Sequence, residues 1–478
     1  MLWVKKQATQ RPASAAFLLG ALCALGFAPL YWWPVAIVCL ALFLNLVFFS
    51  PPAPKNHPSV KKAVLLGWVF GLGFSLAGLW WMGSSFRYTS LGGWAVAAAP
   101  FAMVLLAGVM GVWYGAVTGI AAALGRFAPP WVLPLIIAIV WAGMEALRAL
   151  SVYGLPWHLF GYVFAGNTAL MQPAAYGTVM LLSLMGVLLA AALARGPRPA
   201  SLIYIVAVTG VFGAGACRLY TAPPLKELGQ AAVYQTNLRQ DLKWQTPAFE
   251  LALTTFANLK KAPAEAELLV FPETVFTFLK QAEPNLPGLV DGHTPSGAGT
   301  VYGIPTFENG RYFNGMVSTS GDGSAAGQFN KKLLVPFGEF IPLKEFMPAF
   351  LKQFAPANAY SASANTRVIQ TTAGRALPII CYEAIFPYHL LKAKGDSPGF
   401  ILNLTNDGWF AGTTGPHQHF AIARMRSVET GLSQVRATNK GISAFIDGYG
   451  RVTKRLNVEQ SGYLSGSIFE QINALQTR

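Results

Sequence analysis

The sequence predicts an α-helical membrane domain of about seven helices over residues 1–220, followed by a layered α/β domain over 228–470. Three observations predict it. The chain has 478 residues, of which 53% are hydrophobic and only 12% charged, whereas soluble domains carry roughly 25% charged residues. The acids are confined to one half: up to Arg218 there are 12 Lys and Arg but a single acid, Glu145, and beyond it 23 basic and 19 acidic residues. Near residue 229 the long apolar runs give way to short strand-like runs alternating with helical ones.

A bilayer core takes roughly 20 apolar residues per helix. Seven runs qualify as spans: 13–28, 34–50, 61–83, 93–124, 131–150, 169–194 and 200–217. The first two are joined by an aromatic hairpin, Ala28 to Pro34. Further spans follow the first, so it reads as an uncleaved anchor rather than a signal peptide. With the N-terminus in the cytoplasm, the inner segments carry Lys5, Lys6, Arg11, Lys55, Lys61, Lys62, Arg126, Arg195 and Arg198, and the outer loops only Arg87 and Arg148. That bias follows the positive-inside rule and puts the α/β domain outside the cytoplasm. It also accounts for much of the net charge of +15, and no nucleic-acid partner is expected.

Within the spans, Gly67 and Gly71, and Gly111, Gly115 and Gly119, recur every four residues, a spacing that lets helices approach closely. Glu145 and Arg148 share a helical face and read as a structural ion pair. The segment 153–162 is too broken to span and reads as an interfacial piece.

In the outer half, strands are expected at 231–238, 267–272, 299–306, 312–319, 328–335, 376–382, 399–405 and 441–447, with helices at 246–261, 383–394 and 416–430. The loop 341–366 carries Phe346, Met347, Phe350, Leu351 and Phe354, which suits a membrane-dipping lid, a partner surface or burial under the domain.

The four cysteines, Cys23, Cys39, Cys217 and Cys381, form no CxxC pair. Cys381 ends the apolar run 377–381 and has no cysteine near it in sequence to pair with. A lone thiol there is either inert core or a nucleophile. Glu273, after Leu-Leu-Val-Phe-Pro, and Lys331 with Glu339, in Phe-Asn-Lys-Lys-Leu-Leu-Val-Pro-Phe-Gly-Glu, favour the nucleophile. A free thiol is mostly protonated at neutral pH, so attack needs a base, and the tetrahedral oxyanion needs a positive partner. Glu273 suits the base. Lys331 suits the cation, with the backbone N–H of Tyr382 as second donor. Glu339 and Glu383 are expected to orient the lysine and tune the base. Lys332 is the competing lysine, but strand neighbours face opposite ways, so only one of the two reaches Cys381.

Phe-Pro-Glu-Thr (271–274), the Lys331–Glu339 run, Ile-Cys-Tyr-Glu (380–383) and Leu-Thr-Asn-Asp-Gly-Trp-Phe (404–410) resemble the nitrilase, or carbon–nitrogen hydrolase, superfamily. Its Glu–Lys–Cys triad would fall on Glu273, Lys331 and Cys381. With the membrane half, Gly-Leu-Pro-Trp (154–157) and Gly-Pro-His-Gln-His (415–419), the chain resembles the apolipoprotein N-acyltransferases of bacterial inner membranes. The resemblance implies a nitrilase-like α-β-β-α sandwich on the periplasmic side and site positions at Trp244, Asn314 and Tyr382. It implies acyl transfer from a phospholipid, typically phosphatidylethanolamine, through a Cys thioester to the N-terminal S-diacylglyceryl-cysteine of an apolipoprotein, with no metal or organic cofactor. Two departures stand out: the family commonly has a further transmembrane helix after the catalytic domain, which this sequence does not show, and Leu333 stands where the family often has His.

Other readings follow from the same residues. A membrane-anchored amidase would use the triad with water as acceptor, and a non-catalytic lipoprotein-binding protein would have no need of an intact one. His417 and His419, two apart on a helix, do not face each other and argue against a metal. There is no Gly-x-Ser-x-Gly elbow and no Walker or dinucleotide motif.

Overall fold

The computed structural model describes residues 10–50, 59–88, 93–295, 297–341, 359–364 and 368–472. The chain forms two compact units, Met1–Leu150 with Gly154–Ala222, and Ser151–Tyr153 with Pro223–Arg478.

The first unit is helical. Its principal helices are α1 (Pro12–Cys23), α2 (Trp33–Leu44), α3 (Val60–Leu79), α4 (Gly93–Gly125), α5 (Leu133–Ala149), α6 (Ala174–Arg195) and α7 (Pro199–Tyr220). Proline opens α1, α2, α5 and α7 at the first or second position, where its missing N–H costs no helical bond. Among the described residues, four helical stretches are long and apolar enough to cross a membrane: Val60–Tyr88, which continues α3, and α4, α6 and α7. On α4, Phe101, Leu105, Val109 and Val112 point outward, an apolar stripe at helical spacing that suits contact with lipid.

The glycine spacing has the expected consequence. A Cβ at Gly67 would lie 2.5 Å from the Tyr114 carbonyl oxygen, and one at Gly111 would lie 2.8 Å from that of Trp68. So α3 and α4 touch backbone to backbone, with Thr118 Oγ1 donating to Ala63 O across the seam at 2.7 Å. The expected Glu145–Arg148 pairing is different in detail. Glu145 Oε1 accepts from Trp141 Nε1 (3.0 Å) and Phe160 N (2.7 Å), while Arg148 donates to the carbonyls of Gly154 (3.1 Å) and Leu155 (2.8 Å). Each buried charge thus holds a different part of the 154–160 segment, which links two 3-10 turns. Helical spacing reveals a shared face but not backbone partners downstream.

The second unit is the layered sandwich. Its strands are β1 (Glu227–Gln235), β2 (Leu268–Val270), β3 (Gly299–Glu308), β4 (Arg311–Thr319), β5 (Ala325–Asn330), β6 (Ile369–Thr371), β7 (Gly374–Ile380), β8 (Phe400–Thr405), β9 (Ser433–Thr438), β10 (Ser443–Ile446), β11 (Val452–Leu456) and β12 (Gly462–Phe469). They form two six-stranded sheets, ordered β12-β1-β2-β3-β4-β5 and β11-β10-β9-β8-β7-β6. Val233, Val270, Met316, Phe329, Ile380, Leu404, Val435 and Phe445 fill the space between them. The helices α8 (Gln240–Gln245), α9 (Ala248–Leu259) and α10 (Leu286–Asp291) lie with the first sheet, whose outer core includes Leu259, Phe271, Phe276 and Tyr302. The helices α11 (Pro387–Lys394) and α12 (Gly415–Thr430) cover the second through Leu390 and Ala423.

Strands β1–β3 and β7–β9 run parallel within their sheets. Buried on both faces, β2, β8 and the second half of β7 read as largely apolar runs. The β3–β4 hairpin turns on Asn309-Gly310, both at positive φ, as a two-residue turn requires. Strands β6, β9, β11 and β12 were not expected from the sequence. In β9 the cause is chemical: Ser-Gln-Val-Arg-Ala-Thr is entirely buried, yet four of its six residues are polar. The strand expected over 328–335 ends at Asn330. The apolar residues of the 341–366 loop, Phe346 to Phe354, lie outside the described residues.

Candidate active site

Three strand ends deliver the chemistry. Glu273 follows β2 by three residues, Lys331 immediately follows β5, and Cys381 immediately follows β7. Strands hold position better than loops, and a residue just past a strand end can aim its side chain over the sheet edge.

Lys331 is nearly fully buried and lies in a cage of carboxylates. Its Nζ is 3.0 Å from Glu339 Oε1, 2.9 Å from Glu339 Oε2 and 3.7 Å from Glu273 Oε1. Asn314 Nδ2 donates to both Glu273 Oε1 (2.7 Å) and Glu339 Oε1 (2.9 Å). Val335 N–H donates to Glu339 Oε2 at 2.8 Å, and Lys331 N–H to Asn314 O at 2.9 Å. Burial pulls the lysine pKa down, but Glu339 and then Glu273 outweigh it, and the net shift is upward. Lys331 therefore stays an ammonium through the ordinary pH range. Lys332 takes the other direction, with Nζ over the Phe329 ring.

Cys381 opens a 3-10 turn, Cys381–Ile385, at φ +51°, a region that residues with a Cβ seldom adopt. It keeps some exposure, so a substrate can reach it. Burial and then Glu273 push the thiol pKa up; Lys331 and the Asn406 backbone N–H oppose them, and the net is well above the ordinary value. The resting sulfur is a thiol. It becomes a nucleophile only if a neighbour removes the proton, and Glu273 is electrostatically coupled to it.

Glu383 touches neither lysine ammonium nor thiol. Its Oε1 accepts from the N–H groups of Lys332 (2.7 Å) and Leu333 (3.2 Å), and its Oε2 from Ile380 N–H (2.8 Å). It ties the lysine segment to the cysteine turn. Burial pushes its pKa up to about 7 against those three donors. Tyr382 is buried edge-on against Phe386. Trp244 lies on α8 and is 54% exposed.

Sequence reasoning passed over Lys243. It is buried, donates from Nζ to Glu273 O at 3.1 Å, and lines a cavity of about 100 Å³ with Glu273, Tyr234 and Thr255. Burial lowers its pKa to about 8, with Glu273 and Cys381 opposing. The available signal was its place beside Trp244. In the sequence His419 stands out as half of a His pair whose spacing argues against a metal and as part of the family-like Gly-Pro-His-Gln-His segment, with no role of its own. Its Nδ1 is 2.7 Å from Asp407 Oδ1 and its Nε2 is 3.1 Å from the Cys381 carbonyl oxygen.

The apolipoprotein N-acyltransferase N-terminal domain family matches residues 19–192, and the carbon–nitrogen hydrolase family matches residues 230–475. The apolipoprotein N-acyltransferase of Azotobacter vinelandii is 32% identical, over 95% of this chain and 88% of that one. The apolipoprotein N-acyltransferase of Rhodopseudomonas palustris is 31% identical, over 95% of this chain and 89% of that one. Among solved structures, an amidase from Nesterenkonia sp. matches at 16% identity and a TM-score of 0.39, covering 54% of this chain and 97% of that one. The chain is a membrane enzyme of the carbon–nitrogen hydrolase superfamily, and it belongs to the apolipoprotein N-acyltransferase family.

Proposed function

We propose that residues 228–470 carry an acyl chain from a membrane phospholipid to the α-amine of an apolipoprotein's S-diacylglyceryl-cysteine, through a thioester on Cys381. The observation that carries the reading is a buried ammonium, Lys331, set between two carboxylates and coupled to a thiol at a positive-φ strand end.

In the first half-reaction Glu273 takes the thiol proton, and Sγ attacks the ester carbonyl of the phospholipid. The oxyanion is met by the Lys331 ammonium and the Tyr382 backbone N–H. Collapse breaks the ester C–O bond, Glu273 returns its proton to the glycerol oxygen, and the lysophospholipid leaves. In the second, the α-amine attacks the thioester, Glu273 takes the amine proton, and the C–S bond breaks to give the amide. The proton then returns to Sγ. Glu339 and Asn314 keep Lys331 and Glu273 in register, and Glu383 keeps the two segments that bear Lys331 and Cys381 together. No step calls for a metal or an organic cofactor.

Both substrates are lipid-anchored, which gives the apolar helical unit its purpose: it holds the enzyme in the bilayer where donor and acceptor lie. Phosphatidylethanolamine, as the family's typical donor, is the one assigned here. The Lys and Arg bias of the sequence supports an inner-membrane topology with the catalytic unit on the periplasmic side.

Purified enzyme incubated with acyl-labelled phosphatidylethanolamine is expected to form a hydroxylamine-sensitive adduct, and Cys381→Ala to form none. Equal labelling of the Ala variant overturns the nucleophile assignment. Adding a diacyl lipopeptide should convert it to the triacyl form; release of free fatty acid instead would favour a hydrolase.

A further inference from the structure

We propose that His419 is a positioning residue of the acyl-transfer reaction: it holds the Cys381–Tyr382 peptide so that the Tyr382 N–H faces the oxyanion. The proposal rests on the reading of the reaction given above.

Cys381 sits at φ +51°, so its turn is not one the local chain prefers, and surrounding contacts must hold it. The Cys381–Tyr382 bond is trans, since the one cis bond among the described residues is Ala28-Pro29. In a planar trans peptide the C=O of one residue and the N–H of the next point in opposite directions. Whatever fixes the Cys381 carbonyl therefore fixes the direction of the Tyr382 N–H.

His419 supplies that hold. Its Nε2 lies 3.1 Å from the Cys381 carbonyl oxygen. A carbonyl oxygen only accepts, so Nε2 donates to it, and by the same rule Nδ1 donates to the carboxylate of Asp407. The ring itself is locked. Nδ1 is 2.7 Å from Asp407 Oδ1, and Asp407 Oδ2 is 3.1 Å from a terminal nitrogen of Arg436. Arg436 is anchored in turn by Nε on the Ile442 carbonyl (3.2 Å) and by Asn403 Oδ1 and Thr405 Oγ1. Asp407 and Arg436 have no exposed surface, and His419 almost none. The three residues come from the turn after β8, from β9 and from α12. Three elements of the second sheet layer thus converge on one carbonyl. This makes α12 more than a cover for the sheet.

The function of this bond is separable from the reactivity of the sulfur. Acyl transfer passes through an oxyanion and depends on the direction of the Tyr382 N–H. Alkylation of Sγ by iodoacetamide forms no oxyanion and does not.

The experiment compares His419→Gln, whose amide keeps an N–H donor, with His419→Met, which has similar length and none. Each full-length variant is assayed in detergent for single-turnover acylation by labelled phosphatidylethanolamine and for alkylation of Cys381. The Met variant is expected to acylate about 100-fold more slowly, the loss found for removing one oxyanion donor. The Gln variant should stay within about 5-fold of wild type, and both should alkylate at near the wild-type rate. Equal acylation by the two variants overturns the proposal. So does a parallel fall in acylation and alkylation, or failure of either variant to give folded protein, since each assigns His419 to the fold rather than to the reaction. A wild-type enzyme that takes no label from the phospholipid would instead overturn the acyl-transfer reading itself.

Discussion

The two sheets of the catalytic unit meet the site with opposite chemistry. From the first come Glu273, Asn314, Lys331 and, just beyond, Glu339: two carboxylates sharing one ammonium and one amide. From the second come Cys381, the Asn406 N–H and the Cys381 carbonyl on His419. Burial acts on both, with different outcomes. The ammonium keeps its charge because two carboxylates compensate its desolvation. At the thiol, burial and Glu273 outweigh Lys331, so it stays protonated. One side is charged at rest and the other neutral, and the reaction consists of moving one proton from the neutral side to the charged one.

The largest test of this asymmetry removes the cation. In Lys331→Met, Glu273 and Glu339 would face each other across Asn314 with no positive charge between them. Carboxylates that close share a proton, so the base is lost together with an oxyanion donor. Single-turnover acylation should fall by about 1,000-fold or more, given that one oxyanion donor alone is worth 10²–10³. Arg should not restore it, because a planar guanidinium does not fit an ammonium's site. A Met variant that acylates within 10-fold of wild type would break the contrast between the two sheets.

Glu383→Gln should have a middling effect. The carboxylate accepts three backbone N–H bonds on two oxygens. An amide has one accepting oxygen, so its NH₂ must confront at least one of those donors. An unsatisfied buried donor costs about 1–3 kcal/mol, and the lysine segment would shift against the cysteine turn. Acylation is expected to fall 10- to 100-fold, with a lower melting temperature. Loss of activity with unchanged melting would show that Glu383 acts on the reacting groups and not through the backbone.

How much of this was legible depends on how each residue reaches the site. Glu273, Lys331 and Cys381 end or closely follow apolar strands, and a reactive side chain at such a place stands out in sequence. Glu339 stands in the same run as Lys331 and was read with it, whereas Asn314 was recoverable only through the family resemblance. Arg436 was not. An Arg within Ser-Gln-Val-Arg-Ala-Thr looks like a solvated face, and only the fold brings Asp407, Asn403 and Ile442 around it. Glu383 was expected to orient the lysine and tune the base, but its carboxylate takes three backbone N–H groups, two of them some fifty residues upstream, which sequence adjacency to Cys381 does not reveal. The layered α/β domain was readable from strands mixed with helices, and its sandwich form from the family resemblance, while β12, which pairs with β1 from the far end of the domain, leaves no local trace of its partner.

The smallest expected effect, and the sharpest on electrostatics, concerns Lys243. It is a buried lysine near the charged side of the site that, among the described residues, bonds to the Glu273 carbonyl and to no carboxylate. Burial accordingly brings its pKa down from 10.5 to about 8, where Lys331 is driven the other way. At about 1.4 kcal/mol per unit, holding this ammonium folded costs on the order of 3 kcal/mol at neutral pH. Below pH 8 both folded and unfolded chains bind the proton and the cost is fully present. Between pH 8 and 10.5 the folded chain releases it first, the unfolded state binds more protons, and stability rises with pH. Lys243→Met lacks this term and loses only the bond to Glu273 O, a constant offset. The melting temperature of the Met variant relative to wild type should therefore be highest at or below pH 8 and decline toward pH 10.5, with acylation reduced no more than about 10-fold. A difference independent of pH would mean that Lys243 is as well compensated as Lys331, and the contrast between the two lysines would be gone.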